Sequence, residues 1–197
     1  MVSKKSGLVI SALAVLSFIF SVAYMSSCTK PIKDFPYSCN NVICNNGGRC
    51  DSAKCVCPVG YAGPHCDTLI VQKYYGHWKV KSTVVGSDSS NIVGKDTNYM
   101  LEIAPTATPT TFFVYNFDKN PYYSEIVCVV DSDKNWEFSF DTTRAVNMLY
   151  DHYRIRKGSY GVYDKITNTI NCKVFIRRLN STVNWQNDTL AINLRKY

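Results

Sequence analysis

The sequence predicts a mainly β protein with two folded units: a small disulfide-rich module, then an antiparallel β domain of eight or nine strands, forming a barrel or a sandwich. Six cysteines within residues 39–66 predict the first unit, because so short a segment needs cross-links to fold. Short runs of alternating apolar and polar residues, separated by turn-forming residues, predict the second unit. A charged and then apolar N-terminus predicts that both units are exported.

Residues 1–27 have the pattern of a signal peptide. Two lysines precede the uncharged stretch 7–23, and small residues then lead to Cys28. This arrangement resembles a bacterial lipoprotein signal, which implies that Cys28 carries a lipid and that the protein lies in the cell envelope. The resemblance implies an outer-membrane location, with the periplasmic face favoured over the cell surface. An ordinary signal and an uncleaved anchor are the alternatives, and residues 28–38 are interpreted as an extended tether.

The module of residues 39–66 has the cysteine spacing C-x4-C-x5-C-x4-C-x-C-x8-C. Together with Gly47-Gly48 and the run 57–66, this spacing resembles an EGF-like domain. Six cysteines allow many pairings. The resemblance implies the pairs Cys39–Cys50, Cys44–Cys55 and Cys57–Cys66. A zinc site is the alternative, but zinc sites favour CxxC pairs, and here the close pair is C-x-C beside the single histidine of the module.

Residues 67–197 form the predicted β domain. Period-two alternation is clearest where Trp136, Phe138 and Phe140 alternate with polar residues. The candidate strands are 77–85, 99–104, 111–117, 125–131, 136–141, 150–156, 159–164, 169–178 and 184–196. Eight or nine short antiparallel strands in a domain of this size suit a small barrel or a sandwich.

A Gly-x-Trp motif, Gly76 to Trp78, opens the first of these strands. The motif resembles the lipocalin-like barrels, which implies that Trp78 closes one barrel end and that a late basic residue, Arg195, packs over it. The order of signal, EGF-like module and β domain resembles a broad group of uncharacterised Gram-negative lipoproteins. That resemblance implies an architecture and a location, and no known activity.

Cys128 and Cys172 are the cysteines that remain after Cys28 and the six of the module. Because exported proteins form disulfides, we expect Cys128 and Cys172 to be joined. Two buried thiols are the alternative reading.

The sequence contains no recognisable catalytic motif. It has three histidines and no H-E-x-x-H, G-x-S-x-G or P-loop pattern. Glu102, Glu125 and Glu137 lie at polar positions of predicted strands and are either solvated surface or part of a carboxylate pair for glycoside cleavage. We therefore expect no enzymatic activity, no cofactor and no metal, with an extracytoplasmic glycan hydrolase as an alternative.

The predicted function is that of a membrane-anchored binding or interaction protein, with the module as a spacer and the β domain as the recognition surface. Its expected partners are the membrane, through the lipid, and a protein, glycan or small apolar ligand, but not nucleic acid. A lipocalin-like carrier is the alternative and requires a connected apolar cavity of roughly a few hundred Å³. Two basic clusters, 154–157 and 177–178, suit anionic headgroups, acidic glycans or simple solvation.

Overall fold

The computed structural model describes residues 39–119, 125–142, 153–180 and 184–197. The predicted signal and tether, including the lipidation proposed for Cys28, lie outside the described residues. Strands make up most of the described chain, and its helices are three 3-10 turns, so the mainly β class is confirmed. Within the described part of the chain, no helix has the length and apolarity needed to cross a bilayer.

The cysteine module, residues 39–66, has two small antiparallel hairpins and three disulfides. The first hairpin pairs β1 (Arg49–Asp51) with β2 (Lys54–Val56). The second pairs β3 (Tyr61–Ala62) with β4 (Thr68–Leu69), which lies just after the module. The structure joins Cys39 to Cys50, Cys44 to Cys55, and Cys57 to Cys66. This is the pairing that the EGF-like resemblance implies.

Nine further strands form the second unit, in positions close to those predicted. They are β5 (Gly76–Ser87), β6 (Asp96–Pro105), β7 (Thr111–Tyr115), β8 (Ile126–Val130), β9 (Glu137–Phe140), β10 (Tyr153–Ile155), β11 (Tyr160–Asp164), β12 (Thr169–Asn180) and β13 (Asn184–Lys196). Each pairs antiparallel with its neighbours, in the order β5-β6-β7-β8-β9-β11-β12-β13. Because β13 also pairs with β5, eight strands close into a barrel, and the sandwich is excluded.

The remaining strand, β10, lies on the same side of β12 as β11, and an irregular turn at residues 156–159 connects the two. β11 pairs with the first part of β12 and β10 with its last part, so residues 156–159 lie opposite residues 174–175. The Ser159 hydroxyl fills the gap in the ladder: it accepts from the Phe175 amide at 2.9 Å and donates to the Arg156 carbonyl at 2.8 Å. Ser159 is accordingly buried although its neighbours are exposed.

Apolar side chains of alternate strand positions fill the barrel. Phe112, Ile170 and Val174 are fully buried, and each alternates with more exposed residues along its strand. In β11, Gly161 leaves room for the ring of Phe138 in the neighbouring strand: a Cβ at this position would lie 2.1 Å from Phe138 Cζ. The core therefore depends on one position where the backbone and an aromatic ring touch directly.

Residues 70–75, here called the plug, close the barrel end at which β5 begins; we call this the Trp78 end. Val71 and Tyr74 are fully buried in the plug. The Trp78 indole donates to the Tyr74 carbonyl at 2.8 Å, and the Tyr74 hydroxyl donates to the Asn135 carbonyl at 3.0 Å. The plug is thus hydrogen-bonded both to the first barrel strand and to the β8–β9 turn.

The cysteine module contacts the barrel at the same end. A Cβ on Gly60 would lie 2.7 Å from the side chain of Pro109, which belongs to the β6–β7 connection. Ile70 donates its amide to the Gly60 carbonyl at 3.0 Å, and Leu69 and Ile70 pack against the barrel core. The module is therefore docked on the barrel, and β4 leads directly into the plug.

Candidate functional site

The barrel interior holds side chains at the positions that a ligand would need. Tyr74 of the plug forms an aromatic cluster with Phe112 and Phe138, with ring centroids 4.9–5.3 Å apart. A chamber for an apolar molecule would leave accessible surface on its lining, yet Ile170 and Val174 in the opposite wall are fully buried. The described interior is therefore a packed core.

The lipocalin-like motif lies at the closed end, but its expected basic partner was assigned one residue too early. Gly76 has a φ of +116°, which favours glycine, and Trp78 is fully buried. Arg195 is exposed on the outer surface, and Lys196 Nζ instead lies 5.3 Å from the Trp78 ring centroid. The choice of Arg195 was wrong because side chains alternate along β13, and residue 196 shares the inward phase of Leu194.

Cys128 and Cys172 are free thiols buried in the core, so the expected bridge is also corrected. They lie on β8 and β12, which β9 and β11 separate. With strands about 4.8 Å apart, three steps around the sheet amount to roughly 14 Å, whereas disulfide-bonded Cα atoms are about 4.4–6.8 Å apart. Burial raises the pKa of Cys172 to about 12 and raises that of Cys128 as well, so neither thiol is activated.

A buried polar network occupies the opposite end of the barrel, here called the Asp188 end. Asp188 is almost fully buried and pairs with the guanidinium of Arg178. The Gln186 amide donates to Asp188 Oδ1 and to Ser87 Oγ, each at 2.9 Å. A buried carboxylate needs such partners, so this network is interpreted as structural.

The three glutamates singled out in the sequence do not converge in a cleft. Glu102 lies opposite Tyr115 in the β6–β7 pair, Glu125 precedes β8, and both glutamates are exposed. Glu137 lies on β9, away from Glu102 on β6, and Lys134 pairs with it at 3.6 Å. Among the described residues, no group of three or more His, Cys, Asp or Glu side chains is placed to hold a metal ion.

The outer surface of β10, β12, β13 and β5 is strongly basic; we call it the basic wall. These strands are contiguous in the sheet. The only acidic residue in them is Asp188, which points into the barrel. The exposed cations at outward-facing positions of the wall, including Arg156 just after β10, are Lys79, Lys81, Arg154, Arg156, Lys173, Arg177 and Arg195; exposed Lys196 has the inward phase.

The other side of the barrel has the opposite character. Strands β6 to β9 contain no Lys or Arg, and Asp96, Glu102 and Glu137 are their acidic residues. The two sides meet where Lys81 of β5 pairs with Asp96 of β6 at 2.9 Å. Hydrogen bonds from Thr83 and Lys81 lower the pKa of Asp96. The barrel therefore separates its charges between two halves of its wall.

An amide groove lies at the Trp78 end of the basic wall, where β12 begins and β13 ends. Asn193 Nδ2 donates to Asn171 Oδ1 at 2.8 Å across β13 and β12, and Arg195 Nε donates to Asn193 Oδ1 at 3.4 Å. The groove has a volume of about 530 Å³, and its lining extends from these residues to the β11–β12 turn, where the Asp164 carboxylate forms part of it. Next to it, a second groove of about 270 Å³ shares Asn171 and Asn193 and reaches Lys81.

Sequence reasoning found the basic clusters but missed the wall. It grouped Arg177 with Arg178, although the first is exposed and the second pairs with buried Asp188. The period-two alternation of β12 was a signal that could have separated them. The adjacency of β5 and β13 could not be seen, because these strands are far apart in the sequence.

Comparison with known proteins identifies the cysteine module. Residues 38–66 match the family described as EGF-like domain. A segment of 48 residues is 44% identical to neural cadherin of Drosophila melanogaster, covering 21% of this chain and 2% of that protein. The chain thus contains an EGF-like domain with three disulfides, followed by a closed eight-stranded antiparallel barrel.

These matches correct the expected location. The EGF-like domain and the likeness to neural cadherin point to an extracellular or eukaryotic-type protein. The expectation of a Gram-negative outer-membrane location was therefore wrong. It depended on the pattern of the first 28 residues, whereas the matches rest on the cysteine module. An EGF-like domain of this kind indicates an extracellular interaction module.

Proposed function

We propose that the protein is an extracellular recognition module that binds its partner through the outer surface of the barrel. The EGF-like module serves as a rigid spacer docked on the Trp78 end. The observation that carries this proposal is the packed interior formed by the described barrel residues, because a binding protein whose described residues enclose no chamber would use its exterior. The proposal supposes binding without catalysis.

The docked module supports this role mechanically. Its last hairpin continues into the plug, and the plug bonds to both β5 and the β8–β9 turn. A chain entering from residue 39 therefore meets no flexible linker before the barrel. The barrel wall would be held in a defined orientation relative to the EGF-like module.

The two alternatives receive less support. A lipocalin-like carrier needs an apolar chamber, whereas the inward side chains such as Phe112 and Val174 are fully buried. A glycan hydrolase needs an acid held in an enclosed site, whereas Glu102 and Glu125 are exposed.

The test is saturable binding of the full chain to decellularised extracellular matrix, measured by biolayer interferometry. The proposal predicts saturable binding that is unaffected by prior incubation with a long-chain fatty acid. A fatty-acid titration of the intrinsic fluorescence provides the parallel measurement, and no saturable change is expected. Absence of matrix binding, or tight one-to-one fatty-acid uptake, would contradict the proposal.

A further inference from the structure

We propose that the basic wall binds a linear acidic polysaccharide. Its sulfate or carboxylate groups would contact the exposed Lys and Arg side chains, and its hydroxyls would occupy the amide groove. This inference rests on the proposed function, because it names the partner class of the outer barrel surface.

The charge of the wall provides the first argument. Lys79 lies directly opposite Arg195 in the β5–β13 pair. Like charges at opposite positions repel, which destabilises the sheet. An anionic group between two such cations removes the repulsion and gains charge-assisted hydrogen bonds.

The shape of the wall favours a chain molecule over a small anion. The register places Arg177 opposite Asn187, eight residues before Arg195 on β13. At about 3.4 Å per residue and about 4.8 Å per strand, the wall is roughly 27 Å long and 14 Å wide. A single phosphate or sulfate would contact one cation pair, whereas a polymer contacts several along this strip.

The amide groove favours a saccharide among polyanions. The carbonyl oxygens of Asn171 and Asn193 both accept hydrogen bonds within the wall. The Asn171 amide nitrogen and the second N–H of Asn193 are available as donors, which suit the oxygen atoms of hydroxyl, carboxylate and sulfate groups. The groove volume of about 530 Å³ accommodates a short saccharide segment.

The aromatic residues of the wall argue against insertion into a membrane. Lys173 Nζ lies 5.5 Å from the ring centroid of Phe175, and the Arg177 guanidinium lies 4.5 Å from that of Trp185. These half-buried rings lie beneath cations and do not project as apolar anchors. Interfacial binding draws on apolar side chains that enter the headgroup region.

The experiment measures binding of the full chain to four probes by isothermal titration calorimetry over a range of salt concentrations. The probes are a size-defined sulfated heparin oligosaccharide, a carboxylated hyaluronan oligosaccharide, neutral dextran, and vesicles containing phosphatidylserine. We expect binding to at least one acidic oligosaccharide, with an affinity that falls as salt rises. The first two probes distinguish sulfate from carboxylate as the recognised group.

Two variants with equal charge change test the site. Lys173→Gln with Arg177→Gln should weaken oligosaccharide binding roughly tenfold and reduce the salt dependence by about two charges. Lys54→Gln with Lys134→Gln removes two exposed cations elsewhere and should leave both quantities unchanged. Asn171→Ala should weaken binding several-fold without changing the salt dependence. Unchanged urea-unfolding midpoints establish that each variant is folded.

The inference is overturned if neither acidic oligosaccharide binds, if only vesicles bind, or if the two double variants lose affinity equally. Its failure can be distinguished from failure of the proposed function by treating the matrix before the binding assay. Loss of matrix binding after polysaccharide lyase treatment supports the inference. If matrix binding is lost only after protease treatment, the partner is a protein. That result overturns the polysaccharide inference but still agrees with the proposed recognition function.

Discussion

Replacing Gly161 with alanine tests whether the barrel core depends on contact between a strand backbone and an aromatic ring. The new Cβ would lie 2.1 Å from Phe138 Cζ and 2.5 Å from Cε1, far inside van der Waals contact. The ring cannot move away freely, because Phe112 and Tyr74 hold it with centroid distances of 5.0 and 5.3 Å. The substitution therefore overpacks the aromatic cluster of the barrel core.

The expected cost follows from two opposing effects. Overpacking a core costs about 1–3 kcal/mol, while replacing glycine in a strand by alanine returns roughly 0.5–1 kcal/mol of backbone entropy. We expect a net loss near 2 kcal/mol at the upper part of this range, because the overlap involves several ring atoms. In a chain of this size that loss lowers the melting temperature by about 4–8 °C.

The assay is urea unfolding followed by near-ultraviolet circular dichroism. Gly86→Ala is the matched control, because its Cβ would lie 3.5 Å from Thr189 and its φ is not positive; its stability should change by less than about 0.5 kcal/mol. Phe138→Leu should relieve the conflict, so that the double variant with Gly161→Ala is more stable than additivity predicts by about 1 kcal/mol. Wild-type stability for Gly161→Ala, or strict additivity, would refute the reasoning.

Three further predictions concern buried groups and acid stability. Iodoacetamide should label the peptides containing Cys128 and Cys172 only after denaturation; a bridge would prevent labelling even then. Arg178→Met should destabilise the barrel by about 3 kcal/mol, because it leaves Asp188 buried without its cation, and adding Asp188→Leu should recover much of the loss in urea titrations. Hydrogen bonds from Thr167 and the Ile166 amide lower the pKa of Asp164 below 3.8, so its contribution to stability is present above that pH and disappears as pH falls. Asp164→Asn should therefore reduce the loss of unfolding free energy with falling pH, and an unchanged pH dependence would contradict this prediction.

The sequence alone determined the elements of the fold, because they depend on local chemistry. The alternation that includes Phe138 and Phe140 specifies a strand with one buried face wherever that strand lies in the sheet, although Trp136 precedes β9 and is exposed. The crowding of six cysteines in residues 39–66 similarly requires a covalently held module. The strand list and the mainly β class could therefore be predicted.

Only the tertiary structure decided which strands become neighbours, and the candidate site depends on that choice. Lys79 and Arg195 are brought together because β13 closes the barrel against β5, a pairing between distant segments that period-two patterns do not encode. The same closure puts Cys128 and Cys172 on strands too far apart to bond, and strand phase puts Lys196 instead of Arg195 over Trp78. Side-chain phase is a local property, whereas barrel closure depends on many weak long-range contacts. The basic wall can be recognised only when both are known.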